Sequence, residues 1–471
     1  MKYQLPEGFI VGASQAAWQT EGWTAKKHDN YVDYMYKQAP NRWFDGIGPT
    51  IACDFYNRYK EDIALMPQVG LQANRFSIDW SRFIEDFETA TVNEEGAQFY
   101  DNVVDEMLAK GVEPMICLEH WELPYELYEK YGGYASKHVI ELYVKYAEQV
   151  FKRYSGRVKH FWTFNEPGVI PELCFLHGNW APSFVEPKTA FAWNYGKVVA
   201  TAKAVKLFRE GNYEGKIGTI LNLGTVYARS NHPRDLEAKR MAELFNFRFY
   251  MDSLVHGIVP QELIEILAEN DCALEITAEE TAIIAENTIE ILGINYYQPG
   301  RVKARETQLA HTFFHPDQYF EHYDMQGKRM NPHRGWEIYP KALYDLAKTV
   351  QEEYKNIEWM IMENGMGVEG EEKYKNEDLQ IQDDYRIEFF AEHLAWLLRA
   401  VEEGSNCSGY LVWNFMDNIS PYNALKNRYG LVEMDLTQDR ARRIKKSGEW
   451  FYQMSTTREF ELATPLDPEL K

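Results

Sequence analysis

The chain has 471 residues, of which 45% are hydrophobic, so it carries enough apolar material for a large buried core. It shows no low-complexity linker and no break in composition, and we therefore expect one domain over residues 1–471. Its formal charge of −22, without a basic stripe, argues against nucleic acid as a partner, whereas a local basic pocket can still hold a small anion.

Short apolar runs rich in β-branched and aromatic residues alternate with amphipathic helical stretches along the chain. The predicted strands are 9–16, 74–78, 114–119, 160–164, 216–221, 289–295, 359–362 and 410–415. The helical stretches between them include 96–110, 137–154, 190–210 and 384–403. Alternation of this kind forms βαβ units with a parallel sheet, and eight strands favour closure. We predict an α/β fold, a single (β/α)8 TIM barrel with extended βα loops.

Two stretches do not fit a bare barrel. Residues 31–55 are rich in turn formers and aromatics, and residues 301–340 hold many His, Pro, Tyr and Phe with little periodicity. Both follow predicted strands, so we expect both on the C-terminal face of the barrel, where such folds build their active sites.

Two glutamates stand at the ends of predicted strands. Glu166 follows the fourth strand in WTFNEP, and because proline comes next we expect extended backbone there, although a surface turn also fits Glu166 alone. Glu363 ends the seventh strand in MIMENG, where a charge is costly unless it is exposed or used. In a closed barrel both side chains can point into the mouth, the arrangement of acid and carboxylate that glycoside hydrolysis requires.

The segments TFNEP (163–167) and MENG (362–365) together resemble the retaining β-glycosidases of glycoside hydrolase family 1, and the likeness covers nearly the whole chain. The other matching segments are FIVGASQAAWQTEG (9–22), NRFSI (74–78), HWELP (120–124), GINYY (293–297) and GWEIYP (335–340). Met362 departs from the family's usual TENG, and we expect it to face inward without abolishing activity.

The resemblance implies a two-step mechanism with retained anomeric configuration. Glu363 would be the nucleophile that forms a glycosyl-enzyme, and Glu166 would be the acid for the leaving oxygen and then the base for water. Asn165 would bind the 2-hydroxyl, while Arg75 and Tyr297 would hold the nucleophile. The substrate-binding set that the resemblance implies is Gln19, Arg75, His120, Asn165, Asn295, Tyr297, Trp336 and Trp413, with Trp336 on the leaving-group side and Trp413 under the sugar.

The loop after the eighth strand indicates the substrate. Plain β-glucosidases of the family usually carry Glu-Trp where this chain has Ser420-Pro421, and that glutamate binds free sugar hydroxyls. A carboxylate there would repel a 6-phosphate, whereas Ser420, Lys426 and Tyr429 supply donors for a phosphate dianion. The pattern resembles the 6-phospho-β-glucosidase and 6-phospho-β-galactosidase branch of the family.

This loop leaves alternatives open. Lys426 also fits an ordinary solvated charge, Arg428 can assist, and some relatives place the lysine one residue later, at Asn427 here. Pro421 has no donor for an axial 4-hydroxyl, which favours a 6-phospho-β-glucosidase acting on substrates such as cellobiose 6'-phosphate. A 6-phospho-β-galactosidase or a dual-specificity enzyme is the alternative, and an unphosphorylated β-glucosidase or β-galactosidase ranks behind both.

Other classes of function fit less well. A non-catalytic sugar-binding scaffold usually lacks one carboxylate, and xylanase-like barrels lack this eighth-strand loop. The resemblance implies no cofactor and no metal. We expect a phosphorylated disaccharide or aryl glycoside as the partner, no nucleic acid and no membrane, with homo-oligomerisation left open. Five scattered cysteines and a first segment without a signal-peptide pattern predict a cytoplasmic protein.

Overall fold

A computed structural model describes residues 1–310, 312–464 and 466. Eight parallel strands close into a barrel, which confirms the predicted (β/α)8 fold. The strands are β1 (Ile10–Ser14), β2 (Ala73–Ser77), β3 (Glu113–Cys117), β4 (His160–Asn165), β5 (Lys216–Asn222), β6 (Ile291–Asn295), β7 (Trp359–Glu363) and β8 (Cys407–Val412). Each pairs with its neighbours in chain order, and β8 closes onto β1.

A helix lies in every connection and after the last strand. The main ones are α1 (Phe55–Leu65), α2 (Glu94–Ala109), α3 (Lys137–Tyr154), α4 (Pro187–Glu210), α5 (Pro233–Glu243), α6 (Lys341–Glu353), α7 (Asp384–Glu402) and α8 (Lys446–Thr457). Shorter helices are Ala17–Thr20, Tyr31–Gln38, Trp80–Phe83, Tyr125–Tyr131, Val169–Pro171, Phe249–Met251, Gln261–Glu269 and Ala278–Glu286. In α3 the buried residues recur every three or four positions, because that spacing keeps one face on the sheet.

Small sheets decorate the barrel. They pair Lys2–Gln4 with Glu459–Glu461, Ile84–Asp86 with Thr91–Val92, and Val432–Asp435 with Ala441–Ile444. The long connection after β6 adds Gly300–Lys303, between Val226–Ala228 and Glu321–His322, and pairs Met330–Asn331 with Trp336–Glu337. Val368–Glu369, after β7, pairs with Asn427–Arg428, after β8. The loops that follow β5 and β6 are therefore joined by one small sheet, and the loops that follow β7 and β8 by another.

The predicted strands and helices agree with the structure within about three residues at each end. The largest shift among the strands is in β8, which runs over Cys407–Val412 rather than 410–415. Residues 413–416 are apolar or amide side chains that are buried above the barrel, so their burial, and not strand pairing, accounts for the apolar pattern.

The core has two parts. A small cluster fills the inside of the barrel and includes Met115, Trp162, Met360, Met362 and Leu411. A larger cluster lies between the sheet and the helices. All five cysteines are buried and free of disulfides. None of the helices in the described part of the chain combines the length and apolar composition that a bilayer crossing needs.

Candidate active site

An extra residue near the end of β4 sets the direction of the side chains that follow it. Between Trp162 and Asn165, β4 advances three residues while the paired β5 advances two. Thr163 and Phe164 consequently both face the helices: Thr163 bonds a threonine of α4, and Phe164 stacks on a tyrosine of α3. Without this bulge, strict alternation would turn Phe164 inward and Asn165 outward. With it, Asn165 and then Glu166 turn into the barrel mouth.

The backbone of Glu166 is not extended. Its φ is 48°, in the left-handed region, while its amide donates to a backbone carbonyl of β5 at 2.8 Å. The expectation of extended geometry before Pro167 is therefore wrong. A left-handed non-glycine residue is strained, and such strain persists where surrounding contacts over-determine it, typically at functional sites.

A second extra residue directs Glu363. Ile361 of β7 pairs with Ile294 of β6, but the next pair joins Glu363 to Asn295, so Met362 is the extra residue. Met362 is buried in the cluster inside the barrel, as the sequence predicts. Because the bulge adds one residue, Glu363 does not alternate back toward the helices. Its carboxylate meets Arg75 of β2 instead.

The carboxylate of Glu363 is held by two donors. Arg75, which is fully buried, forms an ion pair with one oxygen, and the hydroxyl of Tyr297 donates to the other at 2.6 Å. Burial raises the pKa of Glu363 above its usual value, while Arg75 and Tyr297 oppose that rise because they stabilise the charged form. This glutamate is suited to act as a carboxylate.

Glu166 lies in a different electrostatic environment. Its carboxyl is buried, accepts a hydrogen bond from Asn295 at 2.8 Å, and forms no ion pair with any described residue. Burial and then the negative charge of Glu363 raise the pKa of Glu166 to about 8, against the opposing hydrogen bond from Asn295. Glu166 therefore keeps its proton near pH 7, whereas the charged form of Glu363 is stabilised by a cation and a phenol, which is the division that acid-assisted bond cleavage needs.

The other predicted sugar ligands surround this pair. Arg75 donates to Nδ1 of His120 at 2.8 Å, and the amide nitrogen of Asn165 lies 3.2 Å from Nε2 of the same ring. Burial and Arg75 hold the pKa of His120 well below its usual range, so the ring is neutral. Trp413 stacks beside His120 with ring centroids 5.9 Å apart.

Two buried amide oxygens that belong to predicted sugar ligands have no protein partner among the described residues. They are Oε1 of Gln19 and Oδ1 of Asn295. The amide nitrogen of Gln19 is anchored to the backbone carbonyl of Ile419 at 2.6 Å, which fixes the side chain. Buried acceptors are ordinarily satisfied, so hydroxyl groups of a bound ligand are suitable donors for both oxygens.

The leaving-group side opens next to Glu166. Trp336 lies with its ring centroid 5.1 Å from that of Tyr297. A cavity of about 620 Å³ extends from Glu166 along the loops after β4, β5 and β6. Its lining is mixed, with polar groups from Asn222, Asn246 and Gln298. This volume is in the range of small-molecule pockets.

The three residues predicted to bind phosphate differ in how deeply they are buried. Tyr429 is buried, and its ring lies so close to Gly367 that a Cβ there would be 2.4 Å from the ring. Ser420 is half-buried beside Ile419, the residue that binds Gln19. Lys426 is 38% exposed, with its ammonium 3.8 Å from a carboxylate oxygen of Glu369. Its role in binding phosphate remains a prediction.

Two buried acids that support His120 received no role from sequence. Glu122 accepts hydrogen bonds from Ser77 at 2.6 Å and from the backbone amide of His120. Glu119 accepts from the backbone amide of Trp121 at 2.6 Å and forms an ion pair with buried Lys197 at 3.2 Å. Both acids flank the histidine in the segment LEHWELP, and their spacing around it was the available signal.

Comparison with known proteins identifies the family. The model of "Glycosyl hydrolase family 1" matches residues 1–460. The chain belongs to glycosyl hydrolase family 1. A 6-phospho-beta-glucosidase, GmuD of Bacillus subtilis, is 45% identical over 96% of this chain and 98% of its own. A 6-phospho-beta-galactosidase of Staphylococcus aureus is 33% identical over 98% of this chain and 100% of its own.

A solved family 1 structure has the same architecture. The family 1 b-glucosidase from Thermotoga maritima superposes with a TM-score of 0.88 at 30% identity, covering 97% of this chain and 99% of its own. The family 1 relatives thus include proteins named for phosphorylated and for plain glucosides. Family membership alone does not choose between the two substrate classes.

The pair of glutamates predicts a bell-shaped dependence of kcat/KM on pH. Activity needs Glu363 charged and Glu166 protonated, so it should fall as pH rises through about 8, the pKa of Glu166, and fall again in acid as Glu363 gains a proton. Glu166→Gln, assayed with a dinitrophenyl leaving group that needs little acid assistance, should lose the basic limb. A basic limb that survives in this variant contradicts the assignment of Glu166.

The raised pKa of Glu166 also predicts that stability depends on pH. Because the pKa of Glu166 is raised to about 8, the folded state binds more protons than the unfolded state above the ordinary carboxyl pKa, and the free energy of unfolding falls as pH rises through that window. Glu166→Gln removes this cost, so calorimetry near pH 8 should show a melting temperature higher by about 2–4 °C. The difference should shrink toward about pH 5; a constant difference would contradict linkage to this carboxyl.

Proposed function

We propose that this protein hydrolyses β-glycosidic bonds in 6-phosphorylated β-glucosides, such as cellobiose 6'-phosphate, and releases glucose 6-phosphate with retained configuration. The observation that carries the hydrolytic part is the contrast between the two buried carboxyls. Glu363 is paired with Arg75 and Tyr297, whereas Glu166 has no cationic partner among the described residues and a pKa of about 8.

The geometry supports a double displacement. Glu363 attacks the anomeric carbon while Glu166 transfers its proton to the departing oxygen, and a covalent glycosyl-enzyme forms. Loss of negative charge at Glu363 lowers the pKa of Glu166, because the repulsion that helped to raise it is gone. Glu166 then takes a proton from water as that water attacks the same carbon, and the free sugar is released.

Asn295 is suited to coordinate the two steps. Its amide nitrogen donates to Glu166 at 2.8 Å and lies 3.1 Å from Oδ1 of Asn165. Asn295 is also paired with Glu363 across the β6–β7 register. One short, buried amide therefore connects the acid, the nucleophile strand and the residue expected at the 2-hydroxyl.

The preference for phosphorylated sugar rests on the loop after β8. Ser420 replaces the glutamate expected of plain glucosidases, so the pocket gains a hydroxyl donor and loses a negative charge that would repel a phosphate. The GmuD relative of B. subtilis, at 45% identity, carries the name 6-phospho-beta-glucosidase. Both points favour glucose 6-phosphate as the product.

A 6-phospho-β-galactosidase activity is the second candidate. The relative from S. aureus that bears this name is 33% identical, which is more distant than GmuD. Pro421 offers no hydrogen-bond donor to an axial 4-hydroxyl, so we place the glucoside first. The proposed setting is cytoplasmic, with a phosphorylated disaccharide or aryl glycoside as substrate.

Retention can be tested through the covalent intermediate. A 2-fluoro sugar with a good leaving group should label Glu363. The electron-withdrawing fluorine slows both steps, but the good leaving group restores the rate of the first step only, so the glycosyl-enzyme accumulates. Peptide mass spectrometry should find the label on Glu363 and on no other residue, and Glu363→Gln should abolish labelling. NMR of the first product should show the β-anomer; an α-anomer would overturn the two-step mechanism.

Substrate class is tested by restoring the missing charge. The kcat/KM of wild type for nitrophenyl β-glucoside 6-phosphate should exceed that for nitrophenyl β-glucoside, and Ser420→Glu should reverse the order through repulsion of the phosphate. We expect the ratio of kcat/KM for the phosphorylated substrate to that for the unphosphorylated one to fall by about 100-fold or more, because like charges repel strongly in a partly buried site. Ser420→Ala, which removes only the hydroxyl, is the matched control and should have a smaller effect. An unchanged ratio in Ser420→Glu would contradict binding of the phosphate beside Ser420.

A further inference from the structure

Arg334 lies in the loop after β6, two residues before Trp336. Its guanidinium is 4.3 Å from the ring centroid of Trp336, and its Nε is buried without a hydrogen-bond partner among the described residues. A guanidinium with an unused, buried donor is an unsatisfied group in a place where burial is costly. Stacking on an aromatic ring orients it but satisfies none of its N–H donors.

A chain of contacts connects Arg334 to the candidate nucleophile. Trp336, on which it stacks, packs against Tyr297, and Tyr297 donates to Glu363 at 2.6 Å. Arg334 is also close enough to the hydroxyl of Tyr429 to oppose the rise in the pKa of Tyr429 that burial causes. Arg334 therefore reaches the same phenol that sequence assigns to the phosphate.

The other nearby cations face acidic side chains. Lys426 lies 3.8 Å from Glu369, is more than a third exposed, and sits 5.9 Å above the ring of Phe44. Arg428 lies 3.7 Å from Glu433 and 3.9 Å from Asp417. No carboxylate in the described ranges comes within 4 Å of Arg334. Of the three, Arg334 is the cation whose charge is not already offset by a carboxylate.

The loop that carries Arg334 is held in place from two sides. The amide nitrogen of Asn427 donates to the backbone carbonyl of His333 at 3.2 Å. Asn331 donates to the carbonyl of Gly367 at 2.9 Å and accepts from the amide of His333 at 3.1 Å. Asn427 occupies the position where some relatives carry the phosphate lysine, and here its side chain instead fixes the loop next to Arg334. A fixed cation binds an anion with less loss of side-chain entropy.

We propose that Arg334 is the residue that selects the 6-phosphate, binding it through its guanidinium beside the hydroxyl of Tyr429, with Asn427 positioning the loop. This inference rests on the proposed 6-phospho-β-glucosidase function and assigns it a cation other than Lys426. Arginine suits the role because its planar fork of donors matches phosphate oxygens and stays charged at every working pH.

The test compares three variants on two substrates. Arg334→Gln removes the charge and keeps a polar side chain, Arg334→Lys restores the charge without the fork, and Lys426→Gln removes the competing cation. Arg329→Gln is the control for net charge, because Arg329 is an exposed neighbour on the same loop that pairs with Glu392 at 2.6 Å. The readout is the ratio of kcat/KM for nitrophenyl β-glucoside 6-phosphate to that for nitrophenyl β-glucoside.

We expect Arg334→Gln to lower this ratio by roughly 10- to 100-fold, the loss typical of charge-assisted hydrogen bonds. Arg334→Lys should recover part of it, while Lys426→Gln should change it less than Arg334→Gln and Arg329→Gln should leave it unchanged. Calorimetric binding of glucose 6-phosphate should weaken in parallel in Arg334→Gln, which separates recognition from a catalytic defect.

The outcomes distinguish failure of the inference about Arg334 from failure of the proposed function. If wild type prefers the phosphorylated substrate and Arg334→Gln keeps that preference, the inference about Arg334 is overturned and the proposed function stands. If Lys426→Gln produces the larger loss, Lys426 is the phosphate cation and Arg334 is not. If wild type shows no preference for the phosphorylated substrate, the proposed function and the inference both fail.

Discussion

The site depends on a single buried positive charge shared unequally between two carboxyls. Arg75 is fully buried in β2 and forms its ion pair with Glu363, while Glu166 receives only a neutral amide from Asn295. Since burial disfavours charge on both glutamates, the one with the cation ionises and the other keeps its proton. Burial, together with Arg75, which donates to His120, keeps that ring neutral, so the charge of Arg75 acts on both Glu363 and His120.

The barrel supplies this arrangement from several strands. Arg75 comes from β2, His120 follows β3, Glu166 follows β4, Asn295 ends β6 and Glu363 ends β7. A group held at the end of a strand is more rigid than one on a long loop, which favours a preorganised site. The loops after β6, β7 and β8 are in turn tied to each other by short strand pairs and by Asn427, and they carry the residues that we connect with substrate choice. Chemistry and specificity therefore reside on different parts of the fold.

Much of this could be predicted from sequence, for identifiable reasons. Apolar runs that alternate with helical stretches indicated the strands because parallel strands are buried on both faces and read as continuous apolar segments. Glu166 and Glu363 stood out because each follows such a run. The φ of Glu166 could not be predicted, since the rule for residues before proline describes local sterics and here the surrounding contacts prevail. A role for Arg334 could not be predicted from sequence, because it depends on a neighbour in space, Tyr429, that lies nearly a hundred positions later in the chain.

The two bulges have a consequence for how this family of sites can vary. Successive side chains in a strand point to opposite faces. The face that a residue occupies therefore depends on whether an odd or an even number of positions separates it from the last paired residue. In β4 and β7 one inserted position changes that parity just before the functional carboxyl. Met362 faces the apolar cluster inside the barrel, so an apolar side chain fits there, whereas removing the position would turn Glu363 toward the helices. At these two strand ends the geometry constrains the number of residues more tightly than their identity.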